Sequence, residues 1–164
     1  MWNPGFSFLE QEPAELNGYH RRLCIYSHHH RGTREAPGLV LGLDTGGSCP
    51  GIAFRVAREN WPSIIEYLNL RELVDNYAYV PANVEVNLAS GPVYAYTFIA
   101  DTRHTNYAGQ LTIDQIVKII RNAKGAGGDN LDYLHEVIKK LEVLGHSDAR
   151  LNIILHHLKE NDKS

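Results

Sequence analysis

The sequence predicts an α+β fold. Apolar residues recur with a period of two in short runs between Tyr19 and Phe98, and after residue 110 the period becomes that of an amphipathic helix. Strands first and helices later argue against a doubly wound parallel sheet, in which the two would alternate. The length, 164 residues, suits one domain able to bury a core of its own, and no internal repeat or low-complexity tract divides it. The expectation is therefore a single domain over 1–164.

Each element follows from a local pattern. The first 16 residues carry Pro4, Gly5 and Pro13 without a sustained period and read as an irregular lead-in. Tyr19 to Ser27 fits a strand. Leu39, Leu41 and Leu43 alternate with Val40, Gly42 and Asp44, and Ile52, Phe54 and Val56 alternate with Ala53, Arg55 and Ala57. Val84, Val86 and Leu88 form a further period-two set, as do Tyr94, Tyr96 and Phe98. The clusters Thr45-Gly46-Gly47-Ser48 and Ser90-Gly91-Pro92 read as turns. A short helix from about Pro62 to Leu70 interrupts the strands. Thr112 and Gln115 have capping-box spacing ahead of Ile113, Ile116, Val117 and Ile120. Asn130 caps a second helix carrying Leu131, Leu134, Ile138 and Leu141, with Gly145 as its stop. Ser147 caps a third, carrying Leu151, Ile154, Leu155 and Leu158.

Composition removes several function classes. With 43% hydrophobic and 21% charged residues, the chain is neither disordered nor fibrous. Sixteen Lys and Arg against nineteen Asp and Glu leave a net charge of −3 without a basic stripe, so no nucleic-acid partner is expected. No cationic stretch precedes an apolar run at the N-terminus, and no apolar segment approaches the roughly 20 residues that cross a bilayer. A soluble cytoplasmic protein with reduced thiols is the expectation. Two cysteines, Cys24 and Cys49, are too few for a four-cysteine zinc site or a disulfide scaffold.

Candidate chemistry is thin on composition alone. In His28-His29-His30 an extended backbone places only His28 and His30 on one face, and a zinc ion needs a third ligand, so a loop cluster without metal is expected. Gly46-Gly47 and Gly125-Ala126-Gly127-Gly128 lack the Gly-Lys-Ser/Thr of a phosphate loop and read as chain turns. Cys24, between Leu23 and Ile25, reads as a buried, inert thiol, and Cys49, after a turn, as the more exposed one. Glu72, in Leu70-Arg71-Glu72-Leu73, reads as a solvated helix-end carboxylate beside a basic neighbour.

Several segments together carry more. Gly18-Tyr19-His20-Arg21-Arg22-Leu23-Cys24 is followed by His30-Arg31-Gly32-Thr33 and Ala36-Pro37-Gly38-Leu39-Val40-Leu41. Then come Gly46-Gly47-Ser48-Cys49-Pro50-Gly51-Ile52-Ala53-Phe54-Arg55 and Leu70-Arg71-Glu72-Leu73-Val74, with Tyr79-Val80-Pro81 downstream. Ala100-Asp101-Thr102-Arg103-His104-Thr105-Asn106-Tyr107-Ala108-Gly109 and Gly128-Asp129-Asn130-Leu131-Asp132-Tyr133-Leu134 complete the set. In this order, up to about Leu158, the chain resembles the ChaC family of glutathione-specific γ-glutamylcyclotransferases.

The resemblance implies a small mixed β-barrel with flanking helices, and cleavage of glutathione to 5-oxoproline and cysteinylglycine without metal or nucleotide. It implies Glu72 as the catalytic carboxylate, serving as general base and then general acid, a task suited to a partly desolvated group. Substrate-binding candidates carried over are Tyr133, Arg31, Tyr107 and Asn130. A core tyrosine, a structural salt bridge and a helix cap stand as alternatives for Tyr133, Arg31 and Asn130. Oligomeric state is not legible.

The chain also departs from the family pattern. Members carry a Tyr-Gly-Ser-Leu loop shortly before a Trp, whereas this sequence opens at Met1-Trp2-Asn3-Pro4-Gly5-Phe6. The expectation is an N-terminal truncation or a start codon placed too far downstream, with weak activity or none if the truncation is real. Thr102 and Thr105 stand where relatives often have proline, and Asp75 to Tyr79 runs about one residue long. Two rival functions remain open: a non-catalytic binding protein on the same fold, and a cyclotransferase for other γ-glutamyl amines or peptides.

Overall fold

The computed structural model describes residues 4–73 and 78–160. Met1 to Asn3 and the stretch from Asp75 to Tyr77 that the resemblance singles out lie outside them. In chain order the elements are β1 (Glu10–Ser27), β2 (Gly38–Arg55), a 3₁₀ turn at Arg58–Asn60, α1 (Trp61–Glu72), β3 (Tyr79–Leu88), β4 (Gly91–Ala100), α2 (Ile113–Asn122), β5 (Lys124–Gly125), β6 (Gly128–Asp129), α3 (Asn130–Val143) and α4 (Ala149–Glu160). The α+β class stands. The larger sheet has the order β2-β1-β3-β4, and β5 pairs with β6 in a small hairpin.

The chain divides into two compact units, one of Met1–Arg22 with Gly42–Asp101, the other of Leu23–Leu41 with Thr102–Ser164. In the first unit β3 and β4 form an antiparallel hairpin in register from Tyr79↔Ala100 to Leu88↔Gly91, and β1 joins β3 at Leu16↔Val86. The turn is Ala89-Ser90, one residue earlier than expected, because Gly91 takes the positive φ of 121° and re-enters the strand. Leu16, Cys49, Val84 and Val86 close one small core. Ile64 and Leu68 of α1 close another with Phe98 and the partly buried Phe6, Val56, Tyr79 and Tyr96.

Two strands run further than their patterns predict. β1 begins at Glu10, inside the expected lead-in; Glu12, Ala14 and Leu16 do alternate inward, but a glutamate and a small residue in the inner set hide the period. β2 continues through Thr45–Ser48, where a turn is expected, because Gly46 (φ 96°) and Gly47 (φ 70°) absorb the irregularity within the strand. His20 Nδ1 lies 2.8 Å from the Gly46 carbonyl oxygen. With no turn before it, Cys49 is buried rather than exposed; Cys24 is buried as expected, and neither cysteine is in a disulfide.

In the second unit Ile116, Val117 and Ile120 of α2, Leu134, Val137, Ile138 and Leu141 of α3, and Leu151, Ile154 and Leu158 of α4 enclose a core with Leu23 and Leu39. The capping box opens α2: Thr112 Oγ1 accepts from Gln115 N (3.2 Å), and Gln115 Oε1 accepts from Thr112 N (2.9 Å). Gly145 (φ 73°) ends α3, its N–H reaching Glu142 O at 2.9 Å while His146 N reaches Leu141 O at 2.9 Å. The cap of α4 is Asp148 rather than Ser147, since one carboxylate oxygen accepts from both Arg150 N and Leu151 N at 3.1 Å. Ser147 instead accepts from Asn152 Nδ2.

Candidate active site

Glu72 belongs to the first unit. Pro62 sits in the first turn of α1, where its missing N–H costs nothing. Ile64, Leu68 and Glu72 are spaced by four, so the carboxylate continues the apolar stripe that anchors the helix. Tyr96 Oη donates to Asn69 Oδ1 at 2.6 Å, fixing the last turn to β4. The Glu72 side chain is consequently only 29% exposed, not the solvated group that composition suggests.

Arg71 is the immediate partner of Glu72. Its Nε and Nη2 lie 2.9 and 2.8 Å from Glu72 Oε1. A carboxylate in the last turn faces the negative end of the helix dipole, and an adjacent cation offsets that cost. Partial burial works against the charge of Arg71, but hydrogen bonds with the Tyr67 hydroxyl and the Glu72 carboxylate outweigh it and raise its pKa above the ordinary arginine value. The guanidinium also lies 5.4 Å from the Tyr67 ring centroid. Both of its bonds to Glu72 end on Oε1; among the described residues no protein donor engages Oε2.

Arg31, Tyr107, Asn130 and Tyr133 belong to the second unit, and three of them are gathered around α3. The Asn130 side chain is wholly buried. It accepts from Leu39 N (2.7 Å) and donates to Leu39 O (2.8 Å), while Tyr133 Oη accepts from Leu41 N (3.1 Å). Residues three apart on the helix thus grip backbone two apart on β2. The N-cap position of α3 is Asp129; Asn130 begins the helix, its side chain being turned to Leu39 instead of to the helix end.

The Arg31 guanidinium lies 5.4 Å from the Tyr133 ring centroid. Nη1 reaches Asp129 O at 3.3 Å and Nη2 reaches the exposed Glu136 Oε2 at 3.4 Å, both long bonds. Its side chain is 11% exposed, and Nε is buried with no hydrogen-bond partner among the described residues. An under-satisfied, buried, planar cation is suited to a carboxylate. Tyr107 lies on a bridge to Ile25, with Ala108 N donating to Cys24 O at 2.7 Å.

The run Gly125-Ala126-Gly127-Gly128 makes the β5–β6 turn and presses on the histidine stretch. Ala126 N donates to His29 O (2.9 Å) and Gly127 N to His30 O (2.8 Å). A Cβ on Gly125 would fall on the His29 carbonyl, and one on Gly127 would come within 2.6 Å of the His30 ring. These glycines are set by close backbone approach, which supports the segment carrying Arg31. Among the described residues no group of three or more His, Cys, Asp or Glu is arranged to hold a metal ion, and His28 Nε2 instead lies 3.1 Å from Asn106 Oδ1.

The sequence pattern of the ChaC-like proteins matches residues 1–161. The chain belongs to the ChaC-like family. Across 161 residues it is 34% identical to the glutathione-specific gamma-glutamylcyclotransferase of Escherichia coli K12, covering 98% of this chain and 69% of that one. It is 31% identical to gamma-glutamylcyclotransferase 2-3 of Arabidopsis thaliana, covering 99% and 88%. In fold it matches a crystal structure of the yeast gamma-glutamylcyclotransferase specific to glutathione, with a TM-score of 0.81 at 21% identity over 93% of this chain and 89% of that one. The fold of this ChaC-like chain is therefore that of the γ-glutamylcyclotransferases.

By sequence Arg71 reads only as a basic neighbour of Glu72. Its signal was present: an arginine in the last turn beside a carboxylate that falls on the apolar stripe. Glu136, three residues beyond Tyr133 on the same helical face, was missed for want of any local motif.

Proposed function

We propose that this chain is a γ-glutamylcyclotransferase that cleaves glutathione to 5-oxoproline and cysteinylglycine, with Glu72 as its acid/base. The observation that carries the reading is family membership over residues 1–161, with relatives named as glutathione-specific γ-glutamylcyclotransferases. The half-buried setting of Glu72 at the end of α1 supports its assignment. No cofactor enters the proposal. The protein acts as one domain on a small-molecule substrate in the cytoplasm; among the described residues no helix is long and apolar enough to cross a membrane.

In this reaction nucleophile and electrophile belong to one molecule. The α-ammonium of the γ-glutamyl group gives a proton to Glu72, and the freed amine attacks the γ-carbonyl carbon to close a five-membered ring. As the tetrahedral intermediate collapses the bond to the cysteinyl nitrogen breaks, and Glu72 relays to that nitrogen both protons the attacking nitrogen loses, one at attack and one at collapse, so that the ring nitrogen keeps a single hydrogen and cysteinylglycine leaves as an ammonium. The carboxylate ends as it began, and no proton is consumed. Holding the substrate folded is the larger part of the task, because proximity alone contributes several kcal/mol, up to about 10. Positioned proton transfer adds roughly 10²–10⁴-fold. The buried Nε of Arg31, without a hydrogen-bond partner among the described residues, supports a role in binding a substrate carboxylate, with the Tyr133 ring beside the guanidinium. Tyr107 and Asn130 are assigned to shaping the same substrate-binding group.

The test is release of 5-oxoproline and cysteinylglycine from reduced glutathione by the purified chain, beside Glu72→Gln. Equimolar products that vanish in the variant support the reading. A folded wild-type chain that yields neither product overturns it.

A further inference from the structure

Taking the assignment of Glu72 as given, we propose that Arg71 is a positioning residue that ties the N-terminal segment at Pro4-Gly5 to the orientation of the Glu72 carboxylate. One edge of its guanidinium holds Glu72 Oε1 through Nε (2.9 Å) and Nη2 (2.8 Å). The remaining nitrogen, Nη1, donates to the Pro4 carbonyl at 2.8 Å and to the Tyr67 hydroxyl at 3.2 Å. A rigid planar fork satisfied on both edges cannot turn on one side without turning on the other.

Gly5 makes the same connection from the opposite direction. Its φ of 71° lies in the left-handed region, and a Cβ there would fall on the Tyr67 hydroxyl and stand 3.4 Å from Arg71 Nη1. Backbone, tyrosine and arginine therefore pack as one unit that only glycine allows. Tyr67 precedes Arg71 by one helical turn, so α1 supplies the tyrosine, the arginine and the carboxylate from a single rigid element. A lysine at 71 carries the charge but not the fork and reaches only one of the two sides at a time.

The experiment compares Arg71→Met, Arg71→Lys, Gly5→Ala and the double variant Gly5→Ala/Arg71→Met in the full chain, with glutathione as substrate and Glu72→Gln as control. Arg71→Met is expected to lower kcat by about 10- to 100-fold with KM within about twofold, since a misdirected carboxylate impairs the chemical step. Arg71→Lys recovers part of the loss. Gly5→Ala lowers kcat in the same sense, and the double variant is no worse than the poorer single one, because both break one linkage. Amide hydrogen exchange over residues 5–9 is expected to quicken in Arg71→Met, a readout that needs no turnover and remains available in Arg71→Lys if the methionine variant does not fold.

An unchanged kcat, an effect confined to KM, losses that multiply in the double variant, or unchanged exchange each overturn the proposal. Turnover surviving in Glu72→Gln overturns the acid/base assignment instead, while quickened exchange in the same preparation would show that the arginine linkage exists without it.

Discussion

Asn130 and Leu39 exchange two hydrogen bonds in a site closed to solvent: Leu39 N donates to Oδ1 at 2.7 Å, and Nδ2 donates to Leu39 O at 2.8 Å. A side-chain amide here completes β2 as a neighbouring strand would, giving donor and acceptor together. Asn130→Ala leaves both Leu39 groups buried without partners, and each such group costs about 1–3 kcal/mol. Urea denaturation should show a loss of about 2–4 kcal/mol for Asn130→Ala. A loss under 1 kcal/mol would mean that water takes over both bonds.

Arg22 and Asp44 form the buried ion pair of the first unit, 2.6 Å apart, with the aspartate side chain 3% exposed. Removing one partner strands the other charge, which typically costs about 3–5 kcal/mol. Asp44→Ala is therefore expected to lower the melting temperature substantially. The exposed pair Arg55–Glu10 makes two hydrogen bonds, yet Glu10→Ala is expected to change stability little. Thermal melts of the two variants side by side check the contrast.

Glu72→Gln keeps the shape of the side chain and removes the proton carrier. Turnover of glutathione is expected to fall by about 10²–10⁴-fold, with binding of glutathione retained. Calorimetric titration of the variant separates the two quantities, and lost binding with unchanged turnover per bound substrate would refute the role.

Arg31 and Tyr133 separate by which constant they move. Arg31→Met removes a charge-assisted contact of about 1.5–3 kcal/mol and is expected to raise KM about tenfold or more. Tyr133→Phe keeps the ring beside Arg31 and loses the bond to Leu41 N, so KM should stay near the wild-type value while stability falls by about 1 kcal/mol. Steady-state kinetics on both variants decides this.

Much of the fold was legible because its signals are local. The Thr112–Gln115 box, Gly145 and the apolar stripes of the three C-terminal helices act within a few residues, and all appear where the pattern puts them. The start of β1 and the passage of β2 through Thr45–Ser48 were not legible. There the backbone pairs across the sheet, and tertiary pairing overrides glycines that in isolation signal a turn. Asp148 displaced Ser147 as a cap because two good capping residues stand side by side, and only geometry chooses between them. The candidate site divides in the same way. Arg31, Tyr107, Asn130 and Tyr133 entered by family resemblance, since the bond between Asn130 and Leu39 spans 91 positions and no window of sequence contains it. For Glu72 a helical wheel holds part of the answer, in its spacing from Ile64 and Leu68.

That spacing makes α1 a dial. Each residue of an α-helix turns the next by roughly 100°, so deleting one position between Asn60 and Glu72 swings the carboxylate off the stripe set by Ile64 and Leu68 without altering a single atom of its chemistry. Substitutions at outward positions such as Glu66 and Leu70 should be absorbed freely, while any change in the number of residues should be as damaging as loss of Glu72 itself.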